Sequence, residues 1–407
     1  MNIFVVLILA MEALFALFLL YRDGLLNRPL YFIISVLLLL LAFSLRGSVF
    51  GYETLDYQNF LTKWVDFFRE NGGFAALSRP VGNYNIPYLY FLALFSYFDV
   101  KDLYLIKALS VFFDVILAWA AMGLVSRFTQ APGRLLGCFF AVLFLPSVFL
   151  NSAVWAQCDS TYAALALLGI YLALEDRPCL SMICAAMAFG FKLQAVFILP
   201  VYAVLWMYGR FSWKHFFIFP LSYVLLVLPA VLLGRPFLET LTLYFNQTGS
   251  IGSALNYNSS SIFAFFYHLP DEALAAKLGI AVAFAFMLAV LALCFIKRRW
   301  LTDRAVLAAA LLLAVGIPFL LPHMHERYFY AADILSLVLA FAFPPYAAAA
   351  LLVQFASLLG YHAYLKMRFL LPMSRGAEAL VLVLAMAVVC LMRSFRGKNF
   401  RSNKNTA

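Results

Sequence analysis

Charge is what this chain has least of. Lys+Arg (29) and Asp+Glu (19) make up only 12% of 407 residues, while 66% are apolar. An ordinary soluble domain carries about 25% charged and about 45–50% apolar residues, so that class is excluded. No long polar stretch remains for a separate soluble domain. At about 20 apolar residues per membrane helix, the apolar positions supply on the order of a dozen spans. Short alternating strands are missing too, because the apolar runs continue for roughly 15 to 20 residues, which excludes a membrane barrel and disorder alike. The six cysteines (Cys138, Cys158, Cys179, Cys184, Cys294, Cys390) have neither paired nor metal-ligand spacing, so no disulfide framework or zinc site is indicated. The run from Met1 to Leu20 lacks a basic segment ahead of it and leads directly into another apolar run, so it reads as an uncleaved span.

What is present is the pattern of an all-α polytopic membrane protein, one domain over 1–407. Candidate spans lie near 2–21, 30–45, 103–125, 135–150, 159–174, 179–192, 193–209, 216–234, 273–296, 305–321, 328–343, 346–364 and 377–392, about 13 transmembrane helices. The loops 22–29, 126–134, 175–178, 210–215 and 297–304 with the tail 393–407 hold 16 Lys+Arg and 4 Asp+Glu, against 13 and 15 elsewhere. That excess assigns them to the cytoplasmic side of a cell membrane. The tail cations (Arg393, Arg396, Lys398, Arg401, Lys404) then read as a headgroup anchor, with membrane lipids and not nucleic acid as partner, despite the net charge of +10.

This orientation leaves two larger extracytoplasmic segments, 46–102 and 235–272. In the first, Tyr57, Phe60, Leu61, Trp64, Phe67 and Phe68 recur at helical spacing and predict an interfacial helix opened by Asp56. The aromatic run Tyr84 to Phe98, interrupted by Pro87, predicts a second juxtamembrane helix.

Ionisable groups beside or within apolar runs are costly unless paired or open to a cavity, so the informative residues are few. They are Asp56; Trp155, Gln157 and Asp159 between two spans; Lys192 and Gln194; Pro322-His323-Met324-His325-Glu326-Arg327-Tyr328; and Asp114 within a span, near Lys107. All but Asp114 fall at the outer boundary, which suggests one site. Carboxylates from Asp56 and Asp159 with cations from Lys192 and Arg327 suit an acceptor that must lose a proton and a donor that leaves as an anion. A departing phosphate needs no general acid, so glycosyl transfer from a phosphate donor fits. Each residue also has a plainer reading: Asp56 as a helix cap, Lys192 as a snorkelling or paired cation, His323 to Arg327 as a hydrogen-bonded plug or a metal site, Asp114 with Lys107 as a buried ion pair, and the Tyr and Phe stripes as lipid-facing surface. Asn246-Gln247-Thr248 and Asn258-Ser259-Ser260 match glycosylation sequons.

Arg46, Asp56-Tyr57-Gln58-Asn59-Phe60-Leu61-Thr62-Lys63-Trp64 and Asn83-Tyr84-Asn85-Ile86-Pro87-Tyr88-Leu89-Tyr90 resemble the first external loop of GT-C glycosyltransferases, especially bacterial relatives of the GPI mannosyltransferase II group. Trp155-Ala156-Gln157-Cys158-Asp159-Ser160 is similar to that group's Trp-Gly-Gln-x-Asp-Ser element, with Ala156 in the place of Gly. Lys192-Leu193-Gln194-Ala195 with Pro200 resembles its Lys-x-Gln-Ala…Pro element, and His325-Glu326-Arg327-Tyr328 its His-Glu-Arg-Tyr element. Asn85-Ile86-Pro87 stands where the group has a Pro-Pro pair.

The resemblance implies an inverting enzyme at the outer face that moves a sugar, a mannose-like hexose first, from a polyprenyl-phosphate donor to a glycolipid, lipid-linked glycan or protein. It implies catalytic roles for Asp56, Asp159 and Glu326, with Asp56 the base unless Asp159 exchanges roles with it. Lys192 and Arg327 become donor phosphate binders, and Trp155, Gln157, Gln194, Tyr84 and His325 the substrate pocket. No cofactor is indicated, and a divalent cation stays open because family members differ in metal dependence. Two rivals remain. A flippase for a lipid-linked sugar would show internal repeats and broken midplane helices. A cell-surface polysaccharide polymerase would show a positively balanced external loop, whereas 46–80 holds four charges of each sign.

Overall fold

The computed structural model describes residues 2–244, 254–266 and 268–395. The Asn246 sequon and the tail cations from Arg396 onward lie outside the described residues. Apart from one parallel bridge, Asn256–Tyr257 with Met324–His325, the described elements are helices. Among the described residues, eight helices are long and apolar enough to cross a membrane: Ile3–Arg22, Pro29–Val49, Asp102–Ser126, Trp213–Leu232, Glu272–Ile296, Asp303–Leu320, Pro344–Leu365 and Met373–Ser394. Pro132–Leu143 and Pro146–Val154 form a bent pair, at 42°, either a broken span or a re-entrant loop; proline opens each half, where its missing N–H costs no helical bond. Asp159–Leu174, Pro178–Phe191 and Tyr330–Ala342 occupy three more of the runs that read as spans, but with 16, 14 and 13 residues. The run 193–209 is not one helix. It divides into a 3-10 turn, Leu193–Phe197, and a short helix, Val201–Met207. Among the described residues, length and composition give eight spans, or nine if the bent pair is one, and do not confirm the thirteen that hydropathy predicts, because an apolar run reports burial, and a short helix inside a bundle is buried as well as a long one.

Ile3–Arg22 and Pro29–Val49 expose Leu7, Met11, Leu14, Leu37 and Leu40 on one side. Asp102–Ser126 and Asp303–Leu320 are buried almost all round, as expected of interior helices apolar on every face. The basic loops gather at one end: Arg127 pairs with Glu175 and with Asp303 (3.0 Å), and Arg210 with Asp176 (2.6 Å) and Asp303 (3.3 Å). The helices lead from there to the other end, where the segments around Asp56, Trp155, Lys192 and His325 lie.

One local expectation holds and two change. Thr62–Glu70 is the amphipathic helix the spacing predicts, with Val65 and Phe68 buried. The Tyr84 to Phe98 run, however, forms a helix only over Ile86–Phe95 and packs inward, burying Tyr88, Leu89 and Leu92 against Asp102–Ser126, Pro178–Phe191 and Ile218–Leu232. The aromatics of the helix itself, Tyr88, Tyr90, Phe91 and Phe95, are buried or half-buried, whereas Tyr97 and Phe98 just beyond it are exposed. Asp114 does not pair with Lys107. Its partner is Arg46 (2.9 Å), a residue of Pro29–Val49 that is only 1% exposed, while Lys107 donates to the carbonyls of Val49 (3.1 Å) and Tyr52 (2.7 Å).

Candidate active site

A cavity of about 600 Å³ is lined by Phe60, Leu61 and Trp64, by Lys192 and Gln194, and by the turn His325 to Tyr328. Asp56, Tyr84, Gln157 and Tyr364 line it as well.

Asp56 stands just before a π turn, Tyr57–Leu61, yet its side chain caps nothing there. Its carboxylate faces away from its own helix. Oδ2 accepts from Trp155 Nε1 (2.8 Å) and Gln157 Nε2 (2.9 Å), and Oδ1 accepts from the Tyr364 hydroxyl (2.6 Å). Two donors reach one oxygen because the chain reverses between them: Ala156 has φ +63°, a left-handed conformation that suits glycine. That backbone requirement accounts for the glycine in the element this segment resembles. Tyr84 donates to Gln157 Oε1 (3.2 Å), and burial pushes its hydroxyl well above the usual phenol range, so it stays a donor.

Asp159 is fully buried beneath the cavity and does not line it. Its Oδ1 takes Lys192 Nζ at 2.6 Å; its Oδ2 takes Asn151 Nδ2 at 2.8 Å and lies 3.5 Å from Arg327 Nε. Lys192 reaches it because Pro178–Phe191 ends there in an extended residue, φ −154° and ψ 134°, which turns the side chain out of the helix. A carboxylate with both oxygens engaged by cations is a counter-ion, whereas among the described residues Asp56 is bonded only by neutral donors.

Arg327 Nη1 also holds Glu326 (3.1 Å), and its guanidinium lies 5.4 Å over the Trp155 ring. Burial raises the Glu326 carboxyl, against the opposing pull of Arg327. His325 stacks on Tyr257 (4.7 Å, 10°), and burial, with Arg327 nearby, pushes its imidazole down to about 4. The turn seats closely on Ala347–Leu365 at Gly360, where a Cβ would fall 2.7 Å from Glu326 Cβ and from the Asn258 carbonyl.

The structure thus gathers every residue singled out for the site into one neighbourhood: Asp56, Gln157, Lys192, Gln194, Tyr84, His325, Glu326 and Arg327 on the cavity wall, Trp155 and Asp159 one layer behind. Sequence reasoning missed Asn151, whose amide also meets Tyr361 (2.9 Å), and Tyr364; the only signal for either was a polar atom in an apolar run. Among the described residues no group of three or more His, Cys, Asp or Glu side chains is placed to hold a metal.

No curated protein matches the chain. The sequence model of glycosyltransferase family 87 matches residues 83–322, a stretch that contains Gln157, Asp159 and Lys192 and stops short of Asp56, Glu326 and Arg327 on either side. The match covers more than half of the chain, which therefore belongs to glycosyltransferase family 87, a family of multi-pass membrane glycosyltransferases.

Proposed function

We propose that the chain is an inverting GT-C type transferase that takes a hexose, mannose first, from a polyprenyl-phosphate donor and passes it to a hydroxyl of a glycolipid, lipid-linked glycan or protein at the extracytoplasmic face of the cell membrane. The observation that carries this reading is the division of labour among the carboxylates. Asp56 is the one on the cavity wall free of a cation, so it takes the acceptor proton as the acceptor oxygen bonds to the anomeric carbon. Asp159 and Glu326 hold Lys192 and Arg327 toward the phosphate, which leaves with the electrons of the broken carbon–oxygen bond. Two cations set against these two carboxylates leave little positive charge over. That balance favours a donor with one negative charge, a sugar phosphodiester, over a lipid pyrophosphate or a nucleotide sugar, unless a divalent cation accompanies those. Tyr84, Gln194 and His325 border the space for the sugar. The outer-face assignment, with 46–102 and 235–272 forming the extracytoplasmic surface, rests on the Lys and Arg bias of the opposite end.

The test is transfer in proteoliposomes from polyprenyl-phosphate mannose to octyl mannoside, with the product anomer read by NMR. Polyprenyl-phosphate glucose and galactose, a lipid-pyrophosphate sugar and GDP-mannose serve as competing donors. Transfer from the phosphodiester donors with inversion is expected. Preference for the pyrophosphate or the nucleotide sugar, or net retention, would sink the reading.

A further inference from the structure

We propose that Tyr364 is a positioning residue for Asp56 and that it decides which carboxylate oxygen meets the acceptor. The inference rests on the reading of Asp56 as base. Each carboxylate oxygen offers about two lone-pair directions. On Oδ2 both are taken, by Trp155 and Gln157, whereas among the described residues Oδ1 receives only the Tyr364 hydroxyl. One direction on Oδ1 is left, and Asp56 and Tyr364 both line the cavity. The acceptor hydroxyl therefore docks on Oδ1 beside Tyr364, and its proton ends on that oxygen as the glycosidic bond forms and the phosphate departs.

The tether is stiff. The Tyr364 ring lies on the Trp155 indole with centroids 4.1 Å apart and planes 17° from parallel, so the donors to the two oxygens hold each other in place. Trp155 is completely buried, and the Tyr361 ring packs against it nearly at right angles, with centroids 5.4 Å apart. Tyr364 comes from Ala347–Leu365, outside the stretch matched by the family. Among the described residues, the charged and titratable groups that share the cavity with Asp56 are Lys192, from the end of Pro178–Phe191; His325, Glu326, Arg327 and Tyr328, from the turn before Tyr330–Ala342; and the phenols of Tyr84, Tyr244, Tyr257 and Tyr364.

Tyr364→Phe keeps the ring and removes the hydroxyl. A carboxylate that loses a donor holds its proton more tightly, and a base works only when deprotonated. The acid limb of the kcat profile should therefore move up by about one pH unit. kcat should fall about tenfold to a hundredfold as Asp56 loses its aim, with donor KM unchanged. The profile is measured with polyprenyl-phosphate mannose and octyl mannoside. A second readout needs no substrate: the infrared carboxyl band of protonated Asp56, assigned by its loss in Asp56→Asn, should titrate about one unit higher in Tyr364→Phe. An unchanged unfolding temperature verifies the fold. Wild-type kcat with an unmoved acid limb, or an unmoved infrared midpoint, overturns the tether. An active Asp56→Asn enzyme overturns the base instead, and the infrared titration judges the tether independently.

Discussion

Two buried ion clusters in this protein are built alike and differ in one respect. Asp114 is fully buried and bonded by Arg46 (2.9 Å) and the Ser152 hydroxyl (2.6 Å). Asp159 is fully buried and bonded by Lys192 (2.6 Å) and the Asn151 amide (2.8 Å). The cation of the first cluster is closed off, since Arg46 gives its other N–H groups to the carbonyls of Leu143 (2.9 Å) and Ala42 (3.3 Å). The cations of the second keep a face on a 600 Å³ cavity. A buried ion pair in a membrane helix is costly in either place, so its presence marks importance; an open side on the cation is what separates binding from bracing.

The comparison breaks most sharply at Asp56. Asp56→Asn should lower kcat by about 10²–10⁴-fold at an unchanged unfolding temperature, because it keeps the shape of the residue and removes the base. Arg46→Ala should do the reverse. It leaves Asp114 uncompensated, costs about 3–5 kcal/mol of unfolding free energy in detergent, and leaves donor KM alone; Arg46→Met with Asp114→Leu should recover most of the loss. A rise in donor KM for Arg46→Ala would erase the distinction between the clusters. Lys192→Ala should raise donor KM about tenfold, the scale of one charged hydrogen bond to phosphate, with a smaller effect on kcat. If only its stability falls, the second cluster is a brace too.

Smaller effects sharpen the picture of the cavity wall. The His325 imidazole, held down to about 4 in the folded chain, takes up its proton at about 6.5 when unfolded. The unfolded state therefore binds more protons between those values. The contribution of His325 to stability is complete above about pH 6.5 and is lost as pH falls toward about 4. His325→Gln should flatten the drop in unfolding temperature between pH 7 and 5. Smallest of all, Ala156→Gly should add about 1 kcal/mol of stability by relieving a left-handed alanine.

Much of the site could be read from polar residues that interrupt apolar runs, and Asp56, Asp159, Lys192 and Arg327 do converge. Their ranking could not. Asp56 and Asp159 are equivalent as isolated carboxylates, and only the cations on one and the neutral donors on the other separate them. Lys107 was the natural partner for Asp114 because both lie on one helix; Arg46 wins because it reaches across from a neighbouring helix. Tyr364 was invisible, since a tyrosine near a helix end is ordinary at a membrane boundary.

Composition and the length of the apolar runs determined, without help, that the chain is a helical membrane bundle, because backbone groups in an apolar medium must bond within their own segment. They also narrowed the chemistry to a few charged side chains. Which of those charges share a space was decided only by tertiary structure: Asp56 and Tyr364 meet at 2.6 Å across 308 residues of chain, and a contact made by packing helices end to end leaves no mark on the local sequence of either residue.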